Sequence, residues 1–166
     1  MSVHVHVASL KGAPPGVRFR WDADTEILSA EIAGGPGPGG LTGSIELEGQ
    51  DGSWLVLEVD GGRICSIEVA VWPEVRTVKG LAVPADVAAV SLSVPARSSQ
   101  PGIATMEVTA PLRAESDPSE KTIHFVLSQG RTRTVRVGSD VLFDLDRHDA
   151  ITGVWLCNVP PFTSAP

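Results

Sequence analysis

Apolar and polar residues alternate with a period of two along most of the chain, and β-branched residues crowd the apolar positions. Successive side chains of an extended strand point to opposite faces, so this pattern predicts strands buried on one side. Twelve such stretches can be read: residues 3–7, 17–21, 27–32, 43–47, 54–59, 64–71, 87–94, 105–109, 122–127, 132–137, 141–145 and 151–157. Turn formers punctuate them at Asp22-Ala23-Asp24, Gln50-Asp51-Gly52, Asp60-Gly61-Gly62, Ser128-Gln129-Gly130 and Gly138-Ser139-Asp140. Short strands joined by tight turns predict sequential hairpins with antiparallel pairing. A helix competes only at residues 84–89, where Pro84 suits a first turn and alanines follow.

One pattern occurs twice. An apolar strand from Ser53, an acidic turn at Asp60, a second apolar strand from Ile64 and a stop at Pro73 return as Ser139, Asp146, Ile151 and Pro160. Each unit reads as a hairpin. The chain is therefore expected to be a single compact all-β domain over residues 1–166: an antiparallel β-barrel or sandwich built from two related hairpin-rich lobes. The pseudo-repeats span about 17–73 and 122–160 and are joined by 74–121, with the acidic stretch 114–120 as a surface connection between the lobes. Gly34-Gly35-Pro36-Gly37-Pro38-Gly39-Gly40 costs too much backbone entropy to order without a partner, which leaves a flap over a site or a linker.

Composition narrows the function classes. With 42% hydrophobic and 20% charged residues the chain is globular, and its 166 residues are enough for a self-sufficient core. A net charge of −7 disfavours nucleic acid and anionic membranes as partners. Arg131, Arg133 and Arg136 form the one basic cluster, which has no interleaved aromatics, and Arg131 and Arg133 read as the wet side of a strand. No stretch approaches the length of a membrane span, and the first residues have neither a basic nor an apolar leader pattern, so a soluble cytoplasmic protein is expected. Cys65 and Cys157 fall inside strands at nearly matching places; reduced, buried thiols and a bridge between lobes are both open. The absence of Tyr, the single Asn and the abundance of Gly, Ala, Val, Arg and Asp suggest a GC-rich bacterial genome.

The segment Trp21-Asp22-Ala23-Asp24-Thr25-Glu26-Ile27-Leu28-Ser29-Ala30-Glu31-Ile32, with Leu57-Glu58-Val59-Asp60, Arg63-Ile64 and Ile67-Glu68-Val69 after it, resembles a bacterial family of small β domains of unknown function. That family carries an aromatic, Asp, polar residues and Asp ahead of an alternating strand, then Asp-x-Asp-x-x-Gly-x-Ile-x-Gly-Ile-Glu. The first half has the opening motif at Asp22 and Asp24; the second keeps the closing motif with Asp144, Asp146 and Gly153, whereas Glu58 and Ser66 depart from it. The resemblance implies a β fold and lends no activity. By size and class alone the chain is also similar to small cofactor-free β-barrel cyclases of polyketide biosynthesis, which hold a flexible substrate in an apolar barrel.

Several residues could carry chemistry. His4 and His6 share one face of a strand whose other face is Val3, Val5 and Val7, a spacing that suits two metal ligands or a general base but lacks a visible third ligand. Asp22 with Asp24, Glu58 with Asp60 and Asp144 with Asp146 are paired carboxylates at strand ends, fit for acid and base work, for binding a hard cation or for accepting turn amides. Glu68 sits mid-strand where the second half has Trp155, and a buried carboxylate there would be poorly ionised. Trp21, Trp54, Trp72 and Trp155 lie on or beside the repeated hairpins and are expected to line one cavity. Nucleophile elbow, phosphate loop, dinucleotide fingerprint and cysteine-rich metal signature are missing, so no cofactor and no metal are expected. Together these point to a small-molecule-binding barrel: a cofactor-free cyclase or isomerase that folds an apolar ligand, with Glu68, His4, His6 or Asp144 as the acid or base and the tryptophans as the grip. The alternative is a non-catalytic ligand-binding or protein-interaction module. A homodimer is open in either case.

Overall fold

In the computed structural model, which describes residues 2–85, 87–96 and 103–162, the alternating stretches form fourteen strands: β1 (His6–Ser9), β2 (Val17–Trp21), β3 (Leu28–Ile32), β4 (Thr42–Glu48), β5 (Trp54–Asp60), β6 (Arg63–Val71), β7 (Val75–Thr77), β8 (Ala88–Ser93), β9 (Ile103–Thr109), β10 (Arg113–Ser116), β11 (Ile123–Val126), β12 (Arg133–Gly138), β13 (Val141–Leu145) and β14 (Ile151–Leu156). No helix occurs among the described residues, so none is long and apolar enough to cross a membrane. The alanines after Pro84 enter β8 instead, and Asp86 lies outside the described residues.

Two sheets stack over one core. The first has the order β2-β3-β6-β5-β4-β9 and the second β1-β8-β12-β13-β14-β11-β10-β7. Leu28, Ile45, Leu57 and Ile67 from the first meet Phe125, Phe143, Val154 and Leu156 from the second, all at most 0% exposed. Of the expected antiparallel barrel or sandwich, two parts are corrected: the closed barrel and the purely antiparallel pairing. Neither sheet closes, since each ends in two distinct edge strands, and side chains rather than a lumen occupy the space between them. Three pairings, β4 with β9, β7 with β10 and β8 with β12, are parallel, so both sheets are mixed. Parallel neighbours must be brought together by a long crossover, and turn residues carry no trace of such a pairing.

The two segments whose sequences match are both antiparallel hairpins, β5–β6 and β13–β14, each central in its own sheet. Each has a register shift at the corresponding place, between Glu58 and Val59 and between Asp144 and Leu145. Their surroundings differ. The outer side of β5–β6 carries half-exposed Glu58, Ser66 and Glu68, whereas β13 and β14 are buried on both faces. Leu81, Val83 and Val87 cover the outer side of the second hairpin and pack on Leu142, Trp155 and Cys157. Residues 74–121, expected as a connection between lobes, supply β7 to β10, and residues 114–116 of the expected acidic loop are β10.

The glycine-rich segment found its partner. Gly37 and Gly39 donate to Asp60 O (2.9 Å) and Gly61 O (3.1 Å), and a Cβ on Gly37 or Gly61 would collide with the facing backbone. The Arg63 guanidinium binds the carbonyls of Ile32, Ala33, Gly34 and Gly35 at 2.6–3.3 Å. Residues 34–40 are thus pinned to the β5–β6 turn, neither a free linker nor a flap. Both cysteines are free thiols; burial pushes Cys65 up, and pushes the more deeply placed Cys157 up to about 11, which keeps it protonated and inert at neutral pH.

Candidate functional site

Two constellations stand out, an aromatic groove at one end of the sandwich and a buried polar network on the outer side of the second sheet. The groove begins where β2 ends. Asp22 Oδ1 accepts the amides of Asp24 (2.9 Å) and Thr25 (3.1 Å), and Glu26 N donates to Asp22 O (2.8 Å), so the β2–β3 turn is wound tightly. The Thr25 amide first, then that of Asp24, holds the Asp22 carboxyl below the usual range. The turn leaves Glu26 at φ 60°, and its carbonyl accepts the Trp72 indole N–H at 2.9 Å. Trp21 in turn donates to Pro160 O at 2.8 Å. With both indoles anchored, Trp21 and Trp72 stack at 5.7 Å and 17°, Phe162 meets Trp21 edge-on at 5.3 Å, and Trp72 leans on core Phe125 at 5.9 Å. A ladder of rings therefore runs from the core to the surface.

The opposite wall comes from the other sheet: Val75 and Thr77 of β7, Ser116 of β10, the turn residues Ser119, Glu120 and Lys121, and Ile123 of β11. Asp117 winds that turn. Its carboxylate takes the Ser119 hydroxyl and the Lys121 and Thr122 amides, both at 2.9 Å, and the Ser119 hydroxyl foremost, with the Thr122 amide, keeps the acid below its ordinary value. Here too a glutamate, Glu120, is left at φ 60°. Non-glycine residues in the left-handed region cost roughly 1–2 kcal/mol each. Between the walls lies a groove of about 400 Å³, floored by Val159, Pro160 and Pro161.

The polar network centres on Asp144, 2% exposed. Its Oδ1 accepts the Thr134 hydroxyl (2.6 Å) and the Trp155 indole N–H (3.0 Å); its Oδ2 lies 2.7 Å from His124 Nε2. His124 stacks on Trp155 at 3.8 Å and 10°, and its Nδ1 faces Glu115 Oε1 at 3.6 Å. Burial alone would raise the Asp144 pKa, but the hydrogen bonds from His124, Thr134 and Trp155 and the charge of His124 outweigh it and hold the carboxyl below its ordinary value. Asp144 on β13 and His124 on β11 reach each other across β14, over Gly153. A Cβ there would land on Asp144 Oδ2, 2.9 Å from Phe125 O and 3.2 Å from His124 Nε2. A glycine inside a strand marks such a close approach. The network ties β11, β12, β13 and β14 together around a buried Asp144 carboxylate that takes three hydrogen bonds and lies 3.8 Å from the Arg131 guanidinium.

The remaining sequence-predicted residues are scattered. His4 and His6 are exposed; His4 Nδ1 is 3.4 Å from His148 O, and β1 places His6 opposite Ser93. Among the described residues no group of three or more His, Cys, Asp or Glu could hold a metal ion. Glu68 is half-buried on the outer side of the first sheet, between Ser29 and Val56. The carboxyl of nearby Glu58 has its pKa raised, first by burial and then by the charges of Glu68 and Glu46. The four tryptophans do not share one cavity: Trp21 and Trp72 line the groove, Trp155 belongs to the network, and Trp54, opposite Glu48 and Val71, buries an indole N–H with no hydrogen-bond partner. Glu26, Glu120, Phe162 and Thr134 carry no sequence expectation, and His124, which the sequence could not place beside His4 and His6, joins Asp144 instead; of these only the network had a signal, an Asp and a Gly inside apolar strands. No protein-family model and no curated protein matches the chain.

Proposed function

We propose that this protein is a non-catalytic small-molecule-binding module whose ligand lies in the groove walled by Trp21, Trp72 and Phe162. The observation that carries this reading is the anchored ring ladder. Both indole N–H groups are already engaged by backbone carbonyls, so what the rings offer a ligand is apolar area held at little further entropic cost. A groove of about 400 Å³ with an aromatic wall on one side and mostly polar residues on the other suits a drug-sized ligand. The packed interior supports binding at this end of the sandwich rather than in a barrel lumen. The matching hairpins and matching register shifts support descent of β5–β6 and β13–β14 from one duplicated unit, of which only one copy acquired the buried network.

The test is site-resolved. The four indole N–H signals are followed by two-dimensional ¹H–¹⁵N NMR during titration with neutral apolar probes such as indole and cyclohexanol, after assignment by single Trp→Phe variants. Saturable shifts of the Trp21 and Trp72 signals, with those of Trp54 and Trp155 unmoved, are expected. No saturable shift up to the solubility limit, or shifts confined to Trp54 or Trp155, would overturn the reading.

A further inference from the structure

Glu26 and Glu120 have a property in common that packing does not account for. They are two of the four non-glycine residues in the left-handed region among the described residues, both are exposed, and both line the groove, one from each sheet. Glycine or asparagine would adopt that backbone with less strain, and no apolar contact recommends glutamate at an exposed turn. Strain retained at a cleft points to a use for the side chain. Each glutamate also shares its turn with an aspartate, Asp22 or Asp117, whose carboxylate is kept ionised by turn donors, so both ends of the groove carry negative charge. Lys121 is the opposing charge on the wall, leaving the groove's charged residues with an excess of one negative. The chain as a whole carries −7, which steers cations toward it.

We propose that the ligand of the aromatic groove is an organic cation, an alkylated ammonium seated against the tryptophan–phenylalanine wall with Glu26 and Glu120 as its counter-charges. This rests on the groove being the binding site. Aromatic faces attract a cation through their quadrupole, and an alkylated ammonium also buries its methyl groups against them. A neutral ligand of the same shape gains the burial and lacks the electrostatic part. Anions are turned away by the two glutamates.

Choline and its uncharged isostere 3,3-dimethylbutan-1-ol separate these contributions. Titrated by the same indole NMR signals, choline is expected to bind about tenfold more tightly than the isostere. That preference shrinks in Glu26→Gln/Glu120→Gln, grows in Lys121→Ala, and fades as salt is raised. Unchanged amide spectra away from the groove establish that the variants are folded. Equal affinity for choline and isostere, or a preference unaltered by the double Gln variant, overturns the cation while leaving the groove as a binding site. If indole and cyclohexanol shift the Trp21 and Trp72 signals and choline does not, the cation alone falls; if none of the four probes does, the groove falls with it.

Discussion

Gly153→Ala isolates the way the second sheet is held together. The backbone of Gly153 is not left-handed, so alanine meets no conformational strain there, and on chain entropy alone the change would stabilise by about 0.5–1 kcal/mol. The methyl group, however, falls on Asp144 Oδ2. Asp144 cannot turn aside without dropping the Thr134 and Trp155 bonds at 2.6 and 3.0 Å, and Phe125 O, 2.9 Å from the new Cβ, is backbone of β11 and cannot yield without moving that strand. Losing one charge-assisted bond of a buried carboxylate costs about 1.5–3 kcal/mol and overpacking a further 1–3. The net expectation is a destabilisation of about 2–5 kcal/mol. Urea unfolding followed by fluorescence should show the midpoint lowered by about 1–2 M at an unchanged slope. Gly16→Ala is the control: open space surrounds its Cβ and its φ is not left-handed, so its midpoint should match or exceed that of the parent. A Gly153→Ala midpoint equal to that of Gly16→Ala would refute the claim that this glycine exists to let His124 and Asp144 meet.

Two further outcomes follow from the same side chains. The folded pKa of Asp144 lies below its ordinary 3.8, so its stabilisation is present above that value and is lost as pH falls through the folded one; Asp144→Asn should cost about 3 kcal/mol at neutral pH, and the gap to the parent should close below about pH 4 in acid-dependent urea titrations. A gap that stayed constant down to pH 2 would argue against an ionised Asp144. The tryptophans should divide by their indole N–H: Trp155→Phe strips a donor from Asp144 and should cost about 1.5–3 kcal/mol, while Trp54→Phe removes an orphaned donor and should stay within about 1 kcal/mol, as thermal unfolding can compare.

Much of the strand content was legible because alternation is a local property. Residues 17–21 and 141–145 coincide with β2 and β13, and the Asp60-Gly61-Gly62 and Asp146–Ala150 turns close their hairpins as their residue types require. The strands β7 and β10 escaped because they are three and four residues long: β7 is exposed throughout, and the buried side of β10 is Ala114 and Ser116, which do not stand out as an apolar face. They pair with each other in parallel across almost forty positions, a contact that neither segment encodes alone.

What the sequence determined by itself is therefore the class of the protein, all-β with a dry side to nearly every strand, together with the two hairpins and the absence of familiar catalytic motifs. Which strands lie beside which was decided only in three dimensions, because register and partner choice emerge when two apolar faces are buried against each other rather than from any one segment. The same holds for the sites. Asp144 looked like half of a carboxylate pair until His124, Thr134 and Trp155 arrived from three other strands to bond it. Trp21 and Trp72 became a wall only when the turns carrying Glu26 and Glu120 and the chain through Phe162 converged on them, which no spacing along the chain foretells.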